Sequence, residues 1–207
     1  SADTVKITIH GYGGHGAHPE RAVDPILAGS ALVMALQSIV ARNVPPGETA
    51  VVTVGTFQSG IASNVIPESA VMELTVRAMK QEVRDLLIKR IHDITEFTAK
   101  SYGATSEIEV YDSYPVLTNS VEETAFAKAL ATELFGSEQV LESISPMNAS
   151  EDFAFMLEHN PNGCYFTIGA GDEADRCMVH NPGYDFNDEI LLKGAALWCG
   201  LTEHYLR

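Results

Sequence analysis

Alternation constrains this chain more than any other feature. Val5, Ile7 and Ile9 are apolar against Lys6, Thr8 and His10, the two-residue period of a strand with one buried face. The period returns at 69–79, with Ala70, Met72, Leu74 and Val76 on one face and Glu73, Thr75 and Arg77 on the other. It returns again at 105–112, where Ile108 and Val110 are the apolar positions, and a β-rich run covers 49–58. Two helical stripes separate these strands. Asp24-Pro25 reads as an N-cap and an N1 proline, followed by Ile26, Ala28, Leu32, Ala35, Leu36 and Ile39. Val83, Leu87, Ile91, Ile94 and Thr98 mark the second helix, with Gly103 in the closing position. The order is β-α-β-β-α-β, a ferredoxin-like arrangement. Both helices then cover the apolar sheet face. Lys6, Thr8, His10, Glu73, Thr75, Arg77, Glu107 and Glu109 are left on an open polar face.

Ser113-Tyr-Pro115 reads as a boundary, giving domains 1–113 and 114–207. Ser120-Val-Glu-Glu123 is a capping box that opens a helix through Phe126, Leu130 and Leu134 to Gly136. A short strand is expected at 138–144, a short helix from Asn148-Ala-Ser-Glu151, and a strand buried on both faces at Cys164–Ile168. A glycine- and acid-rich loop, 169–177, precedes a final helix through Leu192, Leu197, Trp198 and Leu201. So few short elements bury too little apolar surface to stand alone. This second part reads as the tail of a larger α/β domain.

Charge narrows the partners. With 28 acidic against 13 basic residues the net charge is −15, which disfavours nucleic acid and anionic membrane surfaces. No apolar run is expected to span a bilayer, and no signal-peptide pattern opens the chain. Cys164, Cys177 and Cys199 form no C-x-x-C pair, and reduced thiols of a cytoplasmic protein are expected.

Four residues stand out chemically. Residues 11–19, Gly-Tyr-Gly-Gly-His-Gly-Ala-His-Pro, put His15 and His18 on a glycine turn between a strand and a helix. His15 could hydrogen-bond a polarised carbonyl or a developing oxyanion, or be a plain exposed turn residue. Arg77 suits a carboxylate, or a cross-strand pair with Glu73, Glu107 or Glu109. Asn64 could offer an amide to the same anion, or only shape the turn before Val65. His180, in His-Asn-Pro-Gly-Tyr-Asp-Phe-Asn-Asp, could ligate a metal or bond to backbone. Glu151 and Asp152 fit a helix start by charge.

Taken together, five stretches resemble the metallopeptidase and amidohydrolase superfamily of aminoacylase and carboxypeptidase G, in its hippurate hydrolase and indole-acetyl-amino-acid hydrolase branch. They are Gly-Gly-His15-Gly-Ala-His-Pro with Val-Asp-Pro-Ile26, Ser63-Asn64-Val-Ile-Pro67, Leu74-Thr-Val-Arg77, Ala149-Ser-Glu-Asp-Phe-Ala154, and His180 with Tyr184, Phe186, Asn187 and Asp188. The resemblance implies cleavage of N-acyl amino acids by metal-activated water, with zinc, manganese, cobalt or nickel in the intact enzyme. It implies a ferredoxin-like lid that forms a homodimer. His15 would reach the partner subunit's site and steady the scissile carbonyl, Asn64 and Arg77 would hold the substrate carboxylate, and His180 would be the last metal ligand. Glu151 lies in a motif of that branch without an assigned role.

The family's Cys-Gly-His-Asp motif, Glu-Glu pair and further metal-binding His have no counterpart here, and Glu122-Glu123 stands in another context. The expectation is therefore a lid plus the C-terminal strip of a zinc-peptidase-like catalytic domain, inactive and metal-free by itself, since about three protein ligands make a catalytic site. Two other readings stay open. One is a non-catalytic dimerisation or ligand-binding module, pairing through the edge strand 49–58 or the first helix. The other is a fresh metal site of His15, His18 and His180.

Overall fold

The computed structural model describes residues 1–141, 144–147, 149–171 and 177–207. In chain order the elements are β1 (Ala2–His10), β2 (Gly14–His15), α1 (Pro25–Leu36), α2 (Ser38–Asn43), β3 (Ala50–Ser59), β4 (Val65–Ile66), β5 (Ser69–Ala78), α3 (Gln81–Ser101), β6 (Thr105–Tyr114), α4 (Val121–Phe135), α5 (Phe153–His159) and α6 (Leu191–Tyr205). The chain divides into two compact units. One is Ser1–Leu117 with Pro146–Phe155, and the other Thr118–Ser145 with Met156–Arg207.

In the first unit β3, β5, β1 and β6 lie side by side in that order, every neighbouring pair antiparallel. Alternation decides the faces. Val5, Ile7, Ile9, Met72, Leu74 and Val76 are buried, and Ala28, Leu32, Leu36 and Ile39 of the first helical layer join the same core as Val83, Leu87 and Ile91 of α3. Asp24 caps α1 as its sequence demands, its side chain accepting from the N–H groups of Ile26 (2.8 Å) and Leu27 (3.3 Å). Gly103, at φ +74°, turns the chain out of α3 in the left-handed conformation that favours glycine.

The expectation about span-length apolar segments needs correcting. Pro25–Asn43, the run through α1 and α2, is long and apolar enough to cross a membrane by length and composition, with mean hydropathy 1.5. One side of that run is sheet-packed core, its buried residues being those named above.

A buried ion pair ties the far end of the sheet to α3. Asp3 is only 2% exposed and receives Nε of Arg84 at 2.9 Å, Nη2 of Arg84 at 2.7 Å and Oγ of Ser113 at 2.6 Å. Burial works to raise the Asp3 carboxyl, but the bonds from Arg84 and Ser113 outweigh it and hold the group below the usual carboxylate range.

The second unit holds α4 and α6. Ser120 caps α4, accepting from Glu123 N–H at 3.4 Å and bonding to the Glu123 carboxylate in turn. Two strand expectations fail here. Residues 137–139 form a single 3₁₀ turn, while 142–143 lie outside the described residues. Cys164–Ile168 is not a strand and is not buried on both faces: Tyr165 and Ile168 are exposed. A strand exists only through a neighbour, and among the described residues of this unit none offers one. The side chain of Asn119 stands in for a ladder, accepting from Tyr165 N–H at 2.9 Å and donating to Tyr165 C=O at 2.8 Å. Asn148 and residues 172–176 of the acidic loop also lie outside the described residues.

Candidate functional site

The glycine turn is built by close backbone approach. A Cβ on Gly11 would sit 2.2 Å from the Val23 carbonyl oxygen, so the chain passes there only with a bare Cα. Tyr12 and Val23 exchange backbone hydrogen bonds at 2.9 Å each, and Gly11 N–H bonds Glu68 C=O at 2.8 Å. β2 then pairs with β4, His15 opposite Val65, and Gly16 N–H bonds Asn64 C=O at 2.8 Å. Two segments fifty residues apart are thereby locked, with His15 and Asn64 on the rim they share.

An open cavity of about 880 Å³ lies there, lined among others by His15, Asn64, Glu68, Gln58 and Ile61. His15 is exposed, and Ala17 N–H donates to its Nδ1 at 3.0 Å. The His18 ring lies 5.8 Å from that of His15, with its own Nδ1 3.4 Å from a Glu20 carboxylate oxygen. Asn64 is exposed and its side-chain amide has no hydrogen-bond partner among the described residues. Sequence reasoning passed over Glu68 and the fully exposed Ile61. An isoleucine inside Gly60–Asn64, a turn with no apolar periodicity, was the available signal.

Arg77 sits elsewhere. It pairs with Ala2 and Val51 at the far end of β5, six residues on from Val71, the last residue of β5 that lines the cavity, roughly 20 Å at about 3.3 Å per residue. The expectation that Asn64 and Arg77 meet one carboxylate is thus not met within one copy, because an extended strand cannot fold back. The cross-strand alternative for Arg77 is not realised either. Tyr111 donates to Glu73 at 2.7 Å, His10 lies 3.6 Å from Glu107, and Lys6 lies 3.5 Å from Glu109. Arg77 is half-buried on the polar face, and its guanidinium has no hydrogen bond or ion pair among the described residues.

Glu151 accepts from Phe153 N–H at 3.4 Å, a cap at the start of α5. A hydrogen bond and charge repulsion from Glu151 push the Asp152 carboxyl up. His180, in the second unit, is exposed on a turn at φ +69°, a conformation uncommon outside glycine. Among the described residues no three His, Cys, Asp or Glu side chains gather to hold a metal. The described donors do not by themselves make up a catalytic metal centre, and no group among them supports the reading that joins His15, His18 and His180.

The profile of Peptidase family M20/M25/M40 matches residues 7–204. A hippurate hydrolase from Campylobacter jejuni is 39% identical over the whole chain, which spans 53% of that relative. A candidate aminohydrolase from methicillin-resistant Staphylococcus aureus superposes with a TM-score of 0.89 at 31% identity, over 100% of this chain and 53% of that one. A dinuclear metal-binding M20 peptidase from Bacillus subtilis gives 0.74 at 28% identity, over 97% and 49%. The chain spans about half the length of the relatives it matches.

Proposed function

This chain belongs to peptidase family M20/M25/M40, and from that premise we propose that it is the substrate-gripping part of a metal-dependent amidohydrolase acting on hippurate-like N-acyl amino acids. The observation that carries the reading is the division of polar groups along β5. His15 and Asn64 flank a cavity at one end, and an unpaired Arg77 lies at the other. That separation far exceeds the gap between the free carboxylate and the scissile carbonyl of an N-acyl α-amino acid. A homodimer resolves it: His15 and Asn64 of one copy and Arg77 of a second copy serve one substrate. Arg77 takes the free carboxylate through its planar fork, and Asn64 adds an amide N–H. His15 donates to the scissile carbonyl oxygen, where a pre-oriented donor stabilises developing charge. His180 would contribute one ligand to a zinc, manganese, cobalt or nickel ion, the described residues forming no group of three around it.

The test is hydrolysis of hippurate and its methyl ester by the full reading frame that encodes this chain, with each of those metals supplied. Hippurate should be cleaved. Arg77→Ala should lower kcat/KM for the free carboxylate by about 10–100-fold, the worth of a charged hydrogen bond, and leave the ester near wild type. No turnover of any N-acyl amino acid, or equal losses on acid and ester, would sink the proposal. The 207-residue chain alone is expected to be inactive with all four metals. A second reading, a dimerising module without catalysis, is favoured by the exposed edge strand β3 and would be left standing by the inactive result.

A further inference from the structure

The imidazole of His15 is exposed, yet one of its nitrogens is already engaged. Ala17 N–H donates to Nδ1 at 3.0 Å. A backbone amide can only donate, so Nδ1 must present a lone pair. In a neutral imidazole the proton then resides on Nε2, and in the cation both nitrogens are donors and the bond is lost. The surrounding backbone holds this arrangement from both sides. His15 is paired opposite Val65, Gly16 N–H bonds Asn64 C=O at 2.8 Å, and His18 N–H bonds His15 C=O at 2.8 Å. His18 directs its Nδ1 to Glu20. The ring therefore presents Nε2–H as its free polar atom at the cavity rim.

We propose that Ala17 N–H is a positioning group that locks His15 as the Nε2–H tautomer, making it a committed hydrogen-bond donor. A ring so held cannot accept a proton or ligate a metal without giving up the Ala17 bond. It fits an oxygen acceptor that gains negative charge. The identity of that acceptor, a scissile carbonyl, rests on the functional reading above; the tautomer does not.

Two experiments decide it. The first is ¹⁵N NMR of the histidine-labelled chain near about pH 8, above the ordinary imidazole range, with the peptide Gly-Gly-His-Gly-Ala of residues 13–17 as reference. The His15 Nδ1 should resonate as a lone-pair nitrogen with no tautomer mixing, while the peptide shows both forms. Replacing the Gly16–Ala17 amide by an ester removes the donor alone and should return His15 to the peptide's mixture. A mixture in the unmodified chain, or an Nδ1–H ring, overturns the proposal. The second is kinetic, in the full reading frame. His15→Ala should lose about 10²–10³-fold in kcat. His15→Gln, whose amide N–H reaches the Nε2 position, should recover about tenfold of that, the worth of one hydrogen bond, and His15→Asn should not. Gln and Ala equally impaired would overturn the donor role. A full reading frame that hydrolyses no amide would overturn the functional reading instead, with the NMR result still deciding the tautomer.

Discussion

Thr95 shows how much one atom can cost. It is fully buried on α3 among Leu87, Ile91 and Ala99, and its Oγ1 has no hydrogen-bond partner among the described residues. A buried hydroxyl left unpaired forfeits its hydration. Thr95→Val keeps the shape and removes the orphan, so it should raise stability by about 1–2 kcal/mol, read as a higher urea midpoint with unchanged slope. A lowered midpoint would mean that the hydroxyl is partnered in solution. Gly11 is the converse case. Its φ is not in the left-handed region, so its need is for space and not for conformational freedom. The run Gly-Tyr-Gly-Gly-His announced a turn, but only the Val23 carbonyl shows why that glycine cannot be replaced.

Elements that bury one face against their own neighbours were legible in the sequence. β1, β5 and α3 satisfy their periodicity inside the first unit, and the order β-α-β-β-α-β is the one observed, with short β2 and β4 added. Cys164–Ile168 was not legible, because apolarity says that a segment is to be covered and not by what. The candidate site divides the same way. His15 and Asn64 each lie in a turn segment that the sequence marks, and they meet where β2 pairs with β4, whereas the distance to Arg77 required knowing which end of β5 the cavity occupies. Between elements, the Asp3–Arg84–Ser113 cluster joins β1, α3 and β6. Asp3 is depressed in the folded chain, so its contribution is fully present above the unfolded carboxylate value near about 3.9 and is lost as pH falls through the lower folded value. Asp3→Asn should flatten the acid limb of a stability-versus-pH curve and cost about 3 kcal/mol at neutral pH. An unchanged acid limb would refute the assignment.

At the scale of the molecule, α1 is apolar on more than one side. Its inner residues are core, yet Leu27 is 56% and Met34 is 73% exposed. A helix apolar all round is ordinarily covered all round. The same chain carries a net charge of −15, which opposes indiscriminate self-association. A second copy covering this face should make the chain a dimer in sedimentation velocity at high micromolar concentration. Leu27→Glu with Met34→Glu should dissociate it while leaving the thermal midpoint of the monomer's sheet intact. A wild-type chain that sediments as a monomer would remove the basis for a shared site.

β5 is also a ruler. Because successive residues point to opposite sides, adding one residue between Val71 and Arg77 would swing the guanidinium into the apolar core. Adding two would keep it on the open side and shift it by about 7 Å. The spacing between the cavity and Arg77 can therefore change only in even steps, a length quantised by the pleat.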